Sequence, residues 1–236
     1  IYYTYQNVYD FTQVTDVSAV TDFSVGIDPQ ANNDIYTSDS WVTYGRAMNE
    51  VFTADGGLKI NQSVYSGNDV SENNLYIRLN TKKLQYFKAE LVYTYNSTSR
   101  NGWAGFIFGY SNYARKARWG DSPYGVELFM QADGKGTYSS AKLNNTSYTE
   151  GDKLLKWETV AEHKLTVVAT AAGVTLYADG YEAVSISKEL MDEKGYVMST
   201  ESIGFYFTNG DFTAKKFSYS SLGANGEDYI LSLIHI

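Results

Sequence analysis

The chain has 236 residues, with 19 Lys and Arg against 27 Asp and Glu, and it contains no Cys. A formal net charge of −8 argues against nucleic acid as a partner, because phosphate contact wants a basic footprint. The absence of Cys excludes disulfides and thiolate metal sites, and it fits an exported bacterial protein that manages without disulfides. No run has the length of a transmembrane helix, so membrane insertion is not expected. The sequence contains no signal peptide, and it reads as a mature or internal piece of a larger, multidomain protein.

Residues 1–10 read as a lead-in, and residues 11–222 as one domain. Strand-like runs follow at Ser40 to Tyr44, Leu58 to Gln62, Leu75 to Leu79 and Leu84 to Tyr95. Further runs lie at Trp103 to Tyr110, Tyr124 to Gln131 and Gly136 to Lys142. Turn chemistry separates them, at Asp55-Gly56-Gly57, Asn101-Gly102 and Asp133-Gly134. From His163 onward Leu165, Val167 and Ala169 alternate with Lys164, Thr166 and Val168, the period of a strand. After Ala171-Ala172-Gly173 the pattern resumes with Val174, Leu176 and Ala178, then stops at Asp179-Gly180, a dipeptide suited to a tight hairpin. Glu182 to Ser187 completes a three-stranded meander, in which Leu165, Val167, Val174 and Leu176 are expected to be buried. A single helical turn is expected at Lys188 to Lys194, and strands at Ser202 to Thr208 and Phe212 to Ser220. Short strands at this spacing predict an all-β fold, a two-sheet antiparallel sandwich. Its 22 Tyr and 11 Phe suit half-buried strand faces. Residues 223–236 read as an exit segment. Its last six, Leu231 to Ile236, resemble a translated sequencing adapter rather than a closing strand, and they are set aside from functional reasoning.

Certain motifs carry a resemblance. They are Asp10-Phe11, Trp41 and Ala54-Asp55-Gly56-Gly57-Leu58 at the entry, then Lys88-Ala89-Glu90-Leu91 and Gly102 to Tyr110 in the centre. His163-Lys164-Leu165, Asp179-Gly180, Ile203 to Phe207 and Phe212 to Phe217 follow in the closing half. In this order they resemble the laminin-G-like, concanavalin A-like jelly rolls, and among these the carbohydrate-binding modules of bacterial glycan-degrading enzymes. The resemblance implies a jelly roll, a glycan partner and a secreted or cell-surface location. Several members carry Arg just after the Gly-Phe-Ile-Phe strand, where Gly109 stands here.

Chemistry is expected first in the polar insertion Ser111 to Pro123, which gathers Tyr113, Arg115, Arg118, Trp119 and Asp121 in an otherwise acidic chain. An indole stacks on the apolar face of a sugar ring while Arg and Asp bond its hydroxyls, although a loop whose Trp119 tucks back onto the sandwich fits equally well. A second candidate surface comes from alternation in the strand at 124–131, where Glu127, Phe129 and Gln131 oppose Val126, Leu128 and Met130. Placed in one sheet, Glu90 and Glu127 would form a cross-strand pair. Trp41, Trp103 and Trp157 read as core. The Glu-x-Asp-x-x-Glu strand of concanavalin-like glucanases is absent, so no catalytic residue is assigned. His163, at a strand start, reads as making an ordinary surface hydrogen bond. Oxygen-rich loops at Asp28 to Asp34 and Asn68 to Asn74, with Asp28, Asp34, Asp69 and Glu72, suggest a structural Ca²⁺. No other cofactor is implied. The leading expectation is a non-catalytic, lectin-like glycan-binding module. A structural or adhesive domain of a surface protein comes second, and a glycoside hydrolase or lyase third.

Overall fold

The structure is a computed structural model and describes residues 5–27, 43–61, 74–96, 102–109, 126–133, 136–143, 146–148, 162–208 and 210–227. Its strands are β1 (Asn7–Asp10), β2 (Phe23–Ile27), β3 (Thr43–Arg46), β4 (Phe52–Ala54), β5 (Leu58–Ile60), β6 (Asn74–Leu84), β7 (Phe87–Tyr95) and β8 (Gly102–Phe108). They continue with β9 (Val126–Asp133), β10 (Gly136–Leu143), β11 (Thr146–Tyr148), β12 (Glu162–Thr170), β13 (Gly173–Ala178), β14 (Tyr181–Ser187), β15 (Glu201–Thr208) and β16 (Phe212–Ser221). Two short helices, α1 (Met48–Val51) and α2 (Lys188–Glu193), complete the set.

All pairings are antiparallel. Sheet A runs β14-β13-β12-β7-β16-β5-β4, with β1 also on β16, and sheet B runs β11-β10-β9-β8-β15-β6-β2-β3. The chain is the expected two-sheet β-sandwich. β1 lies ahead of residue 11, yet it is paired with β16 along its length, from Asn7 opposite Tyr219 to Asp10 opposite Lys216. At the other end, Ala171 N donates to Ala224 O at 2.8 Å.

The meander forms as its alternation predicts. Leu165, Val167, Val174 and Leu176 are all buried. Asp179 and Gly180 have φ of 49° and 87°, the paired positive values of a tight hairpin turn whose twist matches its strands.

Aromatic rings fill the space between the sheets. Phe23 of β2 and Phe205 and Phe207 of β15 meet Phe212 and Phe217 of β16, with centroids 4.6 Å apart for Phe207–Phe212 and 5.8 Å for Phe23–Phe217. Each buried ring contributes about 1.5–3 kcal/mol by removal from water. Ser139 Oγ of β10 donates to Ala183 O of β14 at 2.8 Å and ties the two sheets at one edge.

One expected strand is two. The run Leu84 to Tyr95 breaks at Gln85 and Tyr86, where the chain leaves sheet B at the end of β6 and enters sheet A as β7. Gln85 Nε2 holds the crossing by donating to Met198 O at 3.0 Å.

Candidate functional site

Along the central strands of sheet B, alternate residues join the main core: Leu75, Ile77 and Leu79 of β6, Phe106 and Phe108 of β8, Leu128 and Met130 of β9. Their neighbours therefore belong to the second face of the sheet, away from sheet A. There Tyr76, Ile107, Phe129 and Tyr206 form a separate apolar cluster with Trp103 packed against it. Register lays Gly26, Tyr76, Tyr206, Gly105 and Phe129 in one row across five strands. Tyr76 and Tyr206 are 5.6 Å apart, Tyr206 and Phe129 6.0 Å, and Phe129 stacks on Trp103 at 4.6 Å and 10°. Gly105 keeps the row tight, since a Cβ there would lie 2.2 Å from Leu128 O and 2.5 Å from Phe129 Cβ. The result is an aromatic strip with a half-buried indole at one end.

This arrangement corrects one expectation and refines another. Phe129 is on the anticipated face, but at 1% exposure its ring is packing and not an open contact surface. Trp103, read as core, does pack against a hydrophobic core, the smaller one on this second face and not the one between the sheets. Position 127 is in register with Ile107, and position 131 with Trp103. Tyr113, Arg115, Arg118, Trp119 and Asp121 lie outside the described residues, as do Trp41, Trp157 and the calcium candidates Asp28, Asp34, Asp69 and Glu72. The segment bearing Trp119 joins β8 to β9 at their Phe108–Val126 end, opposite the end that carries Trp103.

Glu90 does not share a sheet with Glu127. It sits on β7 in sheet A, whereas position 127 is on β9 in sheet B, so the cross-strand carboxylate pair does not exist. Instead Tyr5 Oη donates to Glu90 Oε2 at 3.2 Å, and Lys216 Nζ lies 4.0 Å from Oε1.

His163 is also placed differently from expectation. It is buried beside Tyr93, its cross-strand partner on β7, with ring centroids 5.9 Å apart. Its Nδ1 pairs with Asp179 Oδ2 at 2.9 Å, and Asp179 Oδ1 accepts from Lys164 N at 2.8 Å. The sequence carried a signal for this pair, because the Asp-Gly turn returns the chain beside the start of β12. Burial pushes the Tyr93 phenol well above its ordinary value, so it stays neutral.

Gly109 follows β8 with φ of 74°, and a Cβ would lie 2.1 Å from Tyr196 Oη. A side chain at this position would therefore require Tyr196 to move and a left-handed backbone to be kept. Among the described residues there is no group of three or more His, Asp or Glu arranged to hold a metal, and no helix long and apolar enough to cross a membrane.

No family model matches the chain, and no curated protein matches it. Solved structures do. One was solved in work on endo-acting O-glycanases that prominent members of the human gut microbiota express to initiate mucin breakdown. It has a TM-score of 0.60 and 14% identity, over 93% of this chain and 100% of that one. A glycosyl hydrolase family protein from Mycobacterium fortuitum has a TM-score of 0.57 and 11% identity, over 92% and 100%. The carbohydrate recognition domain of Emp46p has a TM-score of 0.54 and 11% identity, over 89% and 94%. At these identities the likeness is one of fold. The chain has the concanavalin-like jelly-roll fold, which serves glycan binding in one neighbour and accompanies glycan cleavage in others.

Proposed function

We propose that this domain is a non-catalytic carbohydrate-binding module of an exported or cell-surface protein, engaging glycan on the second face of sheet B. The observation that carries the reading is the aromatic strip Tyr76–Tyr206–Phe129–Trp103. Its buried members make a rigid base, and its half-buried end, Trp103, offers an indole for stacking on a sugar ring. Tyr113, Arg115, Arg118, Trp119 and Asp121 extend the site from the connection between β8 and β9, where Arg and Asp supply directional bonds to hydroxyls or a sugar carboxylate. Glu127 and Gln131 are on the strand that the strip crosses. The same fold in a carbohydrate recognition domain supports the reading. A structural Ca²⁺, in the loop with Asp28 and Asp34 or in the loop with Asp69 and Glu72, belongs to this proposal and has no role in chemistry.

The test is a glycan array followed by affinity electrophoresis on the preferred polysaccharide. Trp103→Ala and Trp119→Ala are each expected to abolish retention while the fold survives. Retention unchanged in both variants overturns the location. A chain that binds no glycan on the array is the structural or adhesive domain instead.

A further inference from the structure

A polar cleft of about 390 Å³ opens where β1 and the end of β16 in sheet A face the far end of β6 and the turn before β2 in sheet B. The rings of Tyr9 and Tyr219 lie side by side in it, 6.5 Å apart and 18° from parallel. Tyr9 Oη donates to Asp22 Oδ2 at 2.8 Å. Asp22 Oδ1 has no hydrogen-bond partner among the described residues, and Lys82, on the exposed rim, has no ion-pair partner among them. Asn7 and Thr81, both exposed, line the mouth. β1 is held in place there: Gln6 N donates to Ser220 Oγ at 2.8 Å, and Ser221 N to Gln6 Oε1 at 3.3 Å.

We infer that this cleft is a second saccharide subsite, taking one neutral hexose unit at the end of a glycan chain. The ligand class rests on the glycan-binding reading above, whereas the location does not depend on the second face of sheet B. The volume is at the small end of ligand sites, room for a sugar ring and not for a chain. A carboxylate, an amide, a hydroxyl and an ammonium group around one opening match vicinal hydroxyls, each of which both donates and accepts. The half-buried Tyr9 ring, with the buried Tyr219 packed beside it, supplies the apolar wall that a sugar's C–H face prefers. Burial and the bond to Asp22 push the Tyr9 hydroxyl up to about 12, so the phenol stays a neutral donor. Asp22 and Lys82 therefore cancel, and the cleft carries no field that favours an anionic sugar.

The experiment is an amide NMR titration of the whole chain with D-glucose, D-galactose, D-mannose and N-acetyl-D-glucosamine, and with the methyl glycoside of each. Glycerol at equal concentration is the control. At least one hexose and its glycoside are expected to shift the Asn7, Thr81 and Lys82 amides, with a dissociation constant on the order of 1–10 mM. Asp22→Asn and Lys82→Ala should each weaken that binding about tenfold. Lys82, exposed and without an ion-pair partner among the described residues, keeps the test alive if Asp22→Asn disturbs folding. Silence at the cleft with every sugar, or affinity unchanged in both variants, overturns the subsite. A free hexose that binds while its glycoside does not overturns the chain-end assignment. Shifts confined to Trp103, Gly105 and Ile107 overturn the cleft and leave the second-face reading standing, and shifts confined to the cleft do the reverse.

Discussion

Asp179 Oδ2 lies 2.9 Å from His163 Nδ1, so a residue in the β13–β14 turn pins the buried His163 at the start of β12. Burial works against the charge on Asp179. The hydrogen bonds from His163 and the Lys164 N–H, with the attraction of both residues, outweigh it and hold the carboxyl below its usual value. A depressed folded value makes the contribution fully present above the unfolded carboxylate value, roughly 4. It is lost as pH falls through the folded value. Asp179→Asn should cost about 1 kcal/mol near neutrality, and Asp179→Ala more, because Ala is strained at a φ of 49°. Denaturant titrations near neutrality and below roughly pH 4 check this. The gap between wild type and Asp179→Asn should shrink on acidification, and a constant gap would mean that the Asp179 charge contributes nothing.

Gly109 stands where the backbone is left-handed and the Tyr196 hydroxyl is close. Gly109→Ala meets two separate costs, a positive φ of 74° and the Tyr196 hydroxyl. The expected loss is about 1–3 kcal/mol for backbone strain, plus the clash. In a Tyr196→Phe background the clash is relieved and the strain stays, so thermal unfolding of the double variant should recover part of the loss. Full recovery would mean that strain is unimportant, and none would mean that the hydroxyl is.

The meander was legible because its side chains obey one rule at a time: Leu165, Val167, Val174 and Leu176 alternate, and Asp179-Gly180 supplies the turn. Sheet membership was not. Leu84 and Phe87 are both apolar, so the crossing between sheets at Gln85 and Tyr86 leaves no break in hydrophobicity, and Glu90 reads as a neighbour of Glu127. Parity placed Phe129 on the correct face but could not tell whether that face is open, because burial depends on partners far along the chain, here Tyr76 and Tyr206. The cleft around Tyr9, Asp22, Lys82 and Tyr219 joins four segments that only the folded sheets bring together. No local pattern marks it.

Burial separates the roles within the aromatic strip. Phe129 is 1% exposed, so Phe129→Ala removes a fully packed ring and should cost about 3–5 kcal/mol. Trp103 is half-buried, and Trp103→Ala should cost clearly less while removing glycan retention. Thermal melts paired with affinity electrophoresis distinguish the two. Equal losses of stability would place Trp103 among the structural rings and take it out of the binding face.

Two of the structural neighbours come from glycan-cleaving systems, so catalysis needs its own test. Glycoside hydrolysis needs two carboxyl groups about 5–5.5 Å apart for retention, or about 6.5–9.5 Å for inversion. On β9 the acidic positions of equal parity are Glu127 and Asp133, six residues apart, roughly 20 Å at the rise of a strand. Glu90 is in the other sheet, engaged by Tyr5 and near Lys216. The one histidine that the sequence places in the domain, His163, is buried and pairs with Asp179. The purified chain should therefore release no new reducing ends from β-glucans, fructans or pectins. Glu90→Gln should lower stability slightly, by about 0.5–1.5 kcal/mol for a weakened hydrogen bond, and change nothing else. Turnover by the wild type that disappears in Glu127→Gln would overturn the binding-module reading in favour of an enzyme.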